Sequence, residues 1–274
     1  MANEESPVVS VVLPYFNGEE FLEDALTSVR AQTFDKFEVL VVDDGSSDET
    51  QSQYAKNLIC SLSDNRFRYH YKVNGGLSDA RNFGIKNGRG RYICFLDQDD
   101  TWAASKLEKQ VEILEQCTEA DLVFTDGLRI GDVESRLDCA KQFRLSDGLL
   151  ERPFEKMLKG NFIPCSSVMF RRDLVDRGGM SNRYFASCPD YELFIRFSQV
   201  GGFFFLDQPL LNYRIHAKNT TKNVPRLNLE FIIVLFSQRL DSFGQRIIAT
   251  KSMVKAVCWV VSFWLKKLVS FHSS

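Results

Sequence analysis

Asp97, Asp99 and Asp100 put three carboxylates into four residues, directly after the apolar run Tyr92-Ile93-Cys94-Phe95-Leu96 and before Thr101-Trp102. A short strand therefore delivers concentrated negative charge to one point at its carboxyl end. Like charges so close together are unfavourable unless a cation or a hydrogen-bond network compensates them. Carboxylate oxygens suit hard divalent ions such as Mg²⁺ or Mn²⁺, and those ions in turn bind phosphate oxygens. The chemistry indicated is the handling of a nucleoside diphosphate. A solvated acidic turn with an Asp as helix N-cap is the competing reading of the same residues, and only the surrounding elements separate the two.

Residues 8–13, Val-Val-Ser-Val-Val-Leu, form a near-continuous β-branched run, as in a buried parallel strand. Pro14-Tyr15-Phe16-Asn17-Gly18 ends it, and Phe21, Leu22, Ala25, Leu26 and Val29 then recur at helical spacing. A second strand, residues 37–42, breaks at Asp43-Asp44-Gly45-Ser46, where Ser46 and Glu49 make a capping box that predicts a helix start. A third strand is expected at 67–71, a helix at 77–87 and a fourth strand at 91–96. A helix at 105–116 follows, with Leu107, Val111 and Leu114 on one face, then a strand at 122–125. This alternation predicts a doubly wound parallel sheet, in which ligands bind beyond the carboxyl ends of the strands. Pro14, Asp43-Asp44 and Asp97 to Asp100 all fall at that edge. The second half is less regular. Short helices are expected near 153–158 and 171–177, a longer one from Asp190 to Phe197, an extended stretch at 163–170, and two closing strands at 203–206 and 210–214.

The 274 residues are 44% hydrophobic with a net charge of −2, enough for a sizeable core and without a global signal for nucleic acid. Seven scattered cysteines, with no Cys-x-x-Cys pair, read as reduced thiols in a cytoplasmic protein and not as a zinc site or disulfide framework. The acidic, polar residues 1–7 do not form a signal peptide. From Arg226 onward the balance changes to seven basic residues against Glu230 and Asp241. The apolar run 256–265 inside this segment is far shorter than the roughly 20 residues needed to span a bilayer. Two readings stand: an amphipathic helix on an anionic membrane surface, using Trp259, Phe263, Trp264 and Leu265, or a helix packed back on the domain. The expected division is residues 1–225 as the main domain and 226–274 as a basic, apolar helical extension.

Taken in order, the segment Val9 to Asn17, the step Ala31-Gln32-Thr33-Phe34, and the stretch Phe37 to Ser46 resemble the opening of the family-two inverting glycosyltransferases. Gly76-Leu77-Ser78-Asp79-Ala80-Arg81-Asn82, Gly90 to Asp100, Pro189-Asp190-Tyr191-Glu192-Leu193 and Tyr213-Arg214-Ile215-His216 continue the pattern, covering roughly residues 8–220. The resemblance implies the GT-A fold, a Rossmann-like, mostly parallel sheet flanked by helices. It also implies a nucleotide-sugar donor, a divalent cation (Mn²⁺ or Mg²⁺), and transfer to a hydroxyl with inversion at the anomeric carbon. By motif position Asp44 accepts a hydrogen bond from the base, which favours the N3–H of uracil and hence a UDP-sugar. Pro14 and Phe16 would form the nucleoside pocket.

Arg81 either neutralises phosphate or pairs with a surface acid. Asp99 takes the metal position of a DxD-type motif, Asp97 assists through the ribose or a metal-bound water, and His216 adds a further metal or phosphate contact. Asp100 either supports the metal-binding residues from behind or caps the following helix, the cap being favoured. Asp190 is the candidate general base, with Glu192 as its less well matched rival and an N-cap role as the structural alternative. This chain has Pro189 where the family usually has an acid, so a helper carboxylate is in doubt. Asn161, Phe162 and Ser166 are expected to face the acceptor, a saccharide or lipid-linked saccharide of cell-surface polysaccharide or glycolipid synthesis. The basic tail extends this to peripheral contact with the cytoplasmic face of the membrane. Two alternatives remain: a non-catalytic sugar-nucleotide-binding protein of the same fold, and a sugar-1-phosphate nucleotidyltransferase. The latter is disfavoured because the loop after the first strand lacks a Gly-rich, Arg-containing sequence.

Overall fold

The β-branched run that opens the chain forms β1, Val9–Tyr15, buried along its whole length. The computed structural model describes residues 6–47, 49–131, 134–216 and 224–271, with the side chains of 140, 142, 224 and 264–271 excepted. α1 (Glu19–Arg30) buries Leu22, Ala25, Leu26 and Val29 against the sheet at helical spacing. β2 (Phe37–Asp43), α2 (Glu49–Ser61), β3 (Phe67–Tyr71), α3 (Leu77–Asn87) and β4 (Tyr92–Phe95) complete a βα alternation in which β1, β2, β3 and β4 run parallel. α3 sits unusually close to the sheet. A Cβ added at Gly84 would lie 2.3 Å from a Val12 methyl, so glycine sets that spacing.

The chain continues through β5 (Thr101–Trp102), α4 (Lys106–Gln116), β6 (Leu122–Ile130), β7 (Ser135–Arg136), α5 (Cys139–Phe143), β8 (Gly148–Leu149) and α6 (Pro153–Met157). A 3₁₀ turn at Cys165–Ser167 leads to β9 (Met169–Arg171), α7 (Asp173–Gly178), α8 (Pro189–Val200) and β10 (Phe203–Arg214). The sheet order is β3-β2-β1-β4-β9-β6-β10-β5, with β7 on β6 and β8 on β10. β9 enters antiparallel between β4 and β6, so the sheet is mixed and not wholly parallel. The two closing strands expected at 203–206 and 210–214 are one strand, whose register against β6 shifts on either side of Pro209. Proline lacks the N–H that a ladder needs, and the irregularity falls where it sits.

Glu38 fastens the amino end of the sheet. Its buried carboxylate accepts the Ser10 hydroxyl at 2.8 Å, the Arg89 backbone N–H, and the guanidinium groups of Arg68 and Arg89. Burial alone raises its pKa, but these donors outweigh burial and hold the carboxyl below its usual value.

α9 (Val224–Ser237) and α10 (Phe243–Phe271) follow β10. α9 packs back on α8: the Phe231 ring stacks on Tyr191 at 5.0 Å, and buried Glu230 accepts the backbone N–H groups of Ser187 and Cys188. Val234, Leu235 and Ala249 join the core on that side. The other face of α10 presents exposed Phe243, Ile247, Val254, Val257 and Val261. At 100° per residue these fall in one stripe. Trp259, 56% exposed, lies off that stripe on the same helix, and the side chains of Trp264 and Leu265 lie outside the described ones. Among the described residues no helix is long and apolar enough to cross a membrane.

Candidate active site

β4 ends at Phe95, and the chain turns through the acidic loop at the carboxyl edge of the sheet. Ser166 braces that loop: its Oγ accepts the Asp97 N–H at 3.0 Å and donates to Asp100 Oδ2 at 2.6 Å. The other Asp100 oxygen accepts the Arg214 N–H at 3.0 Å. Asp100 is thus a buried strut and not a helix cap, because β5 pairs with β10 and defers the helix to Lys106. Burial, then the charges of Asp99 and Asp97, push its carboxyl well above the usual range. Ser166, 1% exposed, is likewise spent on the loop instead of facing an acceptor.

Asp97 and Asp99 diverge. Asp97 Oδ1 accepts Arg81 Nη2 at 2.7 Å, whereas Asp99 Oδ2 meets His216 Nε2 at 2.8 Å. The His216 ring packs on Phe21 at 4.9 Å, and the Arg214 Nε–H donates to the Asp99 carbonyl at 3.0 Å. Burial and then the Asp97 charge raise the Asp99 carboxyl, partly offset by His216.

Arg81, on α3, is 2% exposed, lies over the Phe95 ring, and has an Nε with no hydrogen-bond partner among the described residues. It pairs with Asp97, a loop carboxylate lining a cavity of about 330 Å³. Arg81, Asp100, Asn161, Phe162 and Asp190 line that same cavity. Asp190 lies in the first turn of α8 behind Pro189, and Cys188, not Asp190, holds the cap position. Its Oδ2 accepts the Asn161 amide at 2.9 Å. Burial raises its carboxyl above the ordinary value, and Arg81 draws it partly back. Glu192, by contrast, is turned into an ion pair with Arg196 at 2.7 Å and is unavailable as the base.

Asp44 lies outside that cavity, over the ends of β1 and β2. Its Oδ1 accepts Lys72 Nζ at 2.6 Å and the Gly75 N–H at 3.0 Å, and its Oδ2 accepts the Gly76 N–H at 2.7 Å. It therefore sits as an anion at the N-terminus of α3. Oδ2, with one donor among the described residues, keeps capacity for another N–H. Phe16 is 44% exposed at the same edge, clamped through its backbone by Gln98 at 2.9 and 3.2 Å. Pro14 is buried in β1 rather than exposed in a pocket. Val12 still accepts the Leu96 N–H, and two residues later β4 has ended, so the missing proline N–H costs no ladder bond. Ser46 is not a helix cap: its Oγ accepts the Asn17 N–H at 3.1 Å, tying the first two loops together, and α2 begins at Glu49.

Gln98, Lys72 and Arg214 are the working residues that sequence reasoning did not single out. Gln98 lies inside the acidic motif and Lys72 directly follows β3, so position at the strand ends was the available signal. Among the described residues no group of three His, Cys, Asp or Glu side chains forms a metal cluster. The Asp99–His216 pair still fits a divalent ion that takes its remaining ligands from phosphate and water, as Mg²⁺ sites do.

Solved structures share this architecture. S. aureus TarS, solved in complex with UDP, gives a TM-score of 0.68 at 18% identity over 89% of this chain and 70% of that one. The mannosyltransferase PcManGT from Pyrobaculum calidifontis, solved with GDP-Man and Mn²⁺, gives 0.68 at 14% identity over 98% and 80%. The fold is that of the GT-A glycosyltransferases. The glycosyl transferase family 2 profile matches residues 10–179, and the chain belongs to that family. A Rickettsia prowazekii glycosyltransferase, RP339, is 33% identical over 79% of this chain and 66% of its own length. TuaG of Bacillus subtilis, named for teichuronic acid biosynthesis, is 33% identical over 64% and 67%. The chain spans between 31% and 68% of the length of such relatives.

Proposed function

We propose that this glycosyltransferase moves a sugar from a UDP-sugar to a saccharide or lipid-linked saccharide hydroxyl, with inversion, by metal-assisted single displacement. The observation that carries the reading is the meeting of Arg81, Asp97 and Asp190 on one cavity, with Asp99 of the same acidic loop paired to His216, which follows β10. Asp44 and Phe16 would take the uracil, Asp44 through its remaining acceptor capacity and Phe16 through its exposed ring. The UDP in the TarS complex supports this choice, while the GDP-Man of PcManGT makes GDP the natural comparison.

Asp99 and His216 would hold Mn²⁺ or Mg²⁺, which when bound supplies Lewis-acid stabilisation of the charge on the departing diphosphate. Arg81 contributes fixed positive charge from a buried position, and its unpartnered Nε finds an acceptor when an anion enters. Asp97 holds Arg81 in place. Asp190, oriented by Asn161, removes the proton from the attacking hydroxyl, and its raised pKa brings it closer to the basicity a general base needs.

The division into a catalytic domain at 1–225 and an extension at 226–274 accompanies this reading. α10 carries five Lys or Arg and no acid, and its apolar stripe is uncovered, which fits peripheral contact with an anionic cytoplasmic membrane face. Vesicle co-sedimentation unchanged by removing 227–274 would contradict that contact. The function itself is tested by incubating the protein with UDP-sugars, Mn²⁺ and an acceptor panel. UDP release with transfer to one acceptor, and a product of opposite anomeric configuration by proton NMR, is expected; retention, or pyrophosphate release, would overturn the reading.

A further inference from the structure

A second cavity, of about 480 Å³, lies between the start of α8 and the two C-terminal helices. It meets the first cavity at Asn161, Ser187 and Asp190, which line both. Ser252, Lys255, Ala256 and Trp259 of α10 form one wall, their spacing placing them on one helix face. Lys159, which follows α6, also lines it, and the Phe231–Tyr191 ring stack supplies an apolar flank. Lys159 and Lys255 are both exposed, and neither forms an ion pair with a described residue.

Single displacement requires nucleophile and leaving group on opposite sides of the anomeric carbon, with the base beside the nucleophile. If the donor occupies the Arg81–Asp97 cavity, Asp190 stands at the partition and the acceptor enters from the second cavity. This inference rests on the glycosyl-transfer reading above. Two cations without acidic partners fit an anionic group. The aromatic flank, Trp259 at 56% exposure, and the uncovered stripe of the same helix fit an apolar chain approaching from a membrane surface. We infer that the cleft between α8 and the C-terminal helices is the acceptor site, and that its occupant is a sugar carried on a lipid phosphate or diphosphate. Lys159 and Lys255 would grip the phosphate, Trp259 and Phe231 the first part of the chain, and Asp190 the sugar hydroxyl.

The test uses the full chain and geranyl diphosphate as probe, followed by calorimetry with and without saturating UDP. Geraniol and inorganic pyrophosphate are the controls for chain and charge. Wild type is expected to bind geranyl diphosphate equally well with UDP present. The exposed-site variants Lys159→Glu/Lys255→Glu and Trp259→Ala should weaken that binding about tenfold or more while leaving UDP affinity unchanged. Competition by UDP would put the probe in the donor cavity and overturn the assignment. So would affinity within about twofold of wild type in the double lysine variant, or equal binding of geraniol or pyrophosphate. Lysine-dependent probe binding by a protein that binds no UDP would support the cleft and refute the donor reading, so the two failures are distinguishable.

Discussion

Replacing Asp190 by Asn removes a proton acceptor while keeping the volume and one carbonyl oxygen of the side chain. That oxygen can still accept the Asn161 amide, which now meets Asp190 Oδ2 at 2.9 Å, and Arg81 keeps its pairing with Asp97 at 2.7 Å. The fold and the donor site are therefore predicted to survive, with a thermal midpoint within a few degrees of wild type and unaltered UDP affinity. Loss of general-base catalysis costs about 10²–10⁴ in turnover, or about 3–5 kcal/mol in the barrier. The wild-type rate depends on the ionised carboxylate, and burial has raised its pKa. Turnover should thus fall as pH drops through a value above the ordinary carboxylate range of about 4, and the Asn variant should lose this limb. The assay is UDP release with acceptor present, measured across pH. Turnover within about threefold of wild type, with the acid limb intact, would refute the role given to Asp190.

Two further predictions concern the scaffold. Glu38→Gln leaves two guanidinium groups without their anion and should lower unfolding free energy by about 2–3 kcal/mol at neutral pH, discounted because Arg89 is largely exposed. Since the folded pKa of Glu38 is depressed, its stabilisation is present above the unfolded value of about 4.3 and is lost as pH falls through the folded one. Urea titrations should show a shallower acid loss in the variant, and an unchanged pH slope would contradict the network. Gly84→Ala places its methyl only 2.3 Å from a Val12 methyl and should cost about 1–3 kcal/mol, part of it recovered by adding Val12→Ala. Failure of the second substitution to restore any stability would show that the clash is not the cause.

The sequence makes β3 and α3 legible to the residue, because Phe67, Tyr69 and Tyr71 alternate with polar residues and Gly75-Gly76 separates the strand from the helix. It misleads where tertiary bonds compete with local rules. Ser46 and Glu49 have the spacing of a capping box, yet the Ser46 hydroxyl is taken by Asn17 across the loop edge. Asp100 has the sequence position of a helix cap, but a two-residue strand that pairs far away in the chain makes it a buried strut. The antiparallel insertion of β9 between β4 and β6 is invisible to periodicity, since three residues carry no usable pattern. At the site, the family resemblance names Arg81, Asp97, Asp99, Asp190 and His216, and the structure brings Arg81, Asp97 and Asp190 to one cavity and pairs Asp99 with His216. Their partition into an Arg81–Asp97 pair and an Asp99–His216 pair depends on side-chain directions that no spacing encodes. Ser166 shows the same limit: its place near the site was evident, but not that both hydrogen bonds of its hydroxyl hold the acidic loop.

The central claim is a metal-dependent donor site for a uridine nucleotide, and calorimetry of UDP and GDP, with and without Mn²⁺, on wild type and Asp99→Ala tests it most directly. UDP binding is expected to exceed GDP binding, to require Mn²⁺, and to lose that requirement together with most of its affinity in the Asp99 variant. UDP binding of equal strength without metal or without Asp99 would contradict the role of this carboxylate, and preference for GDP would overturn the donor.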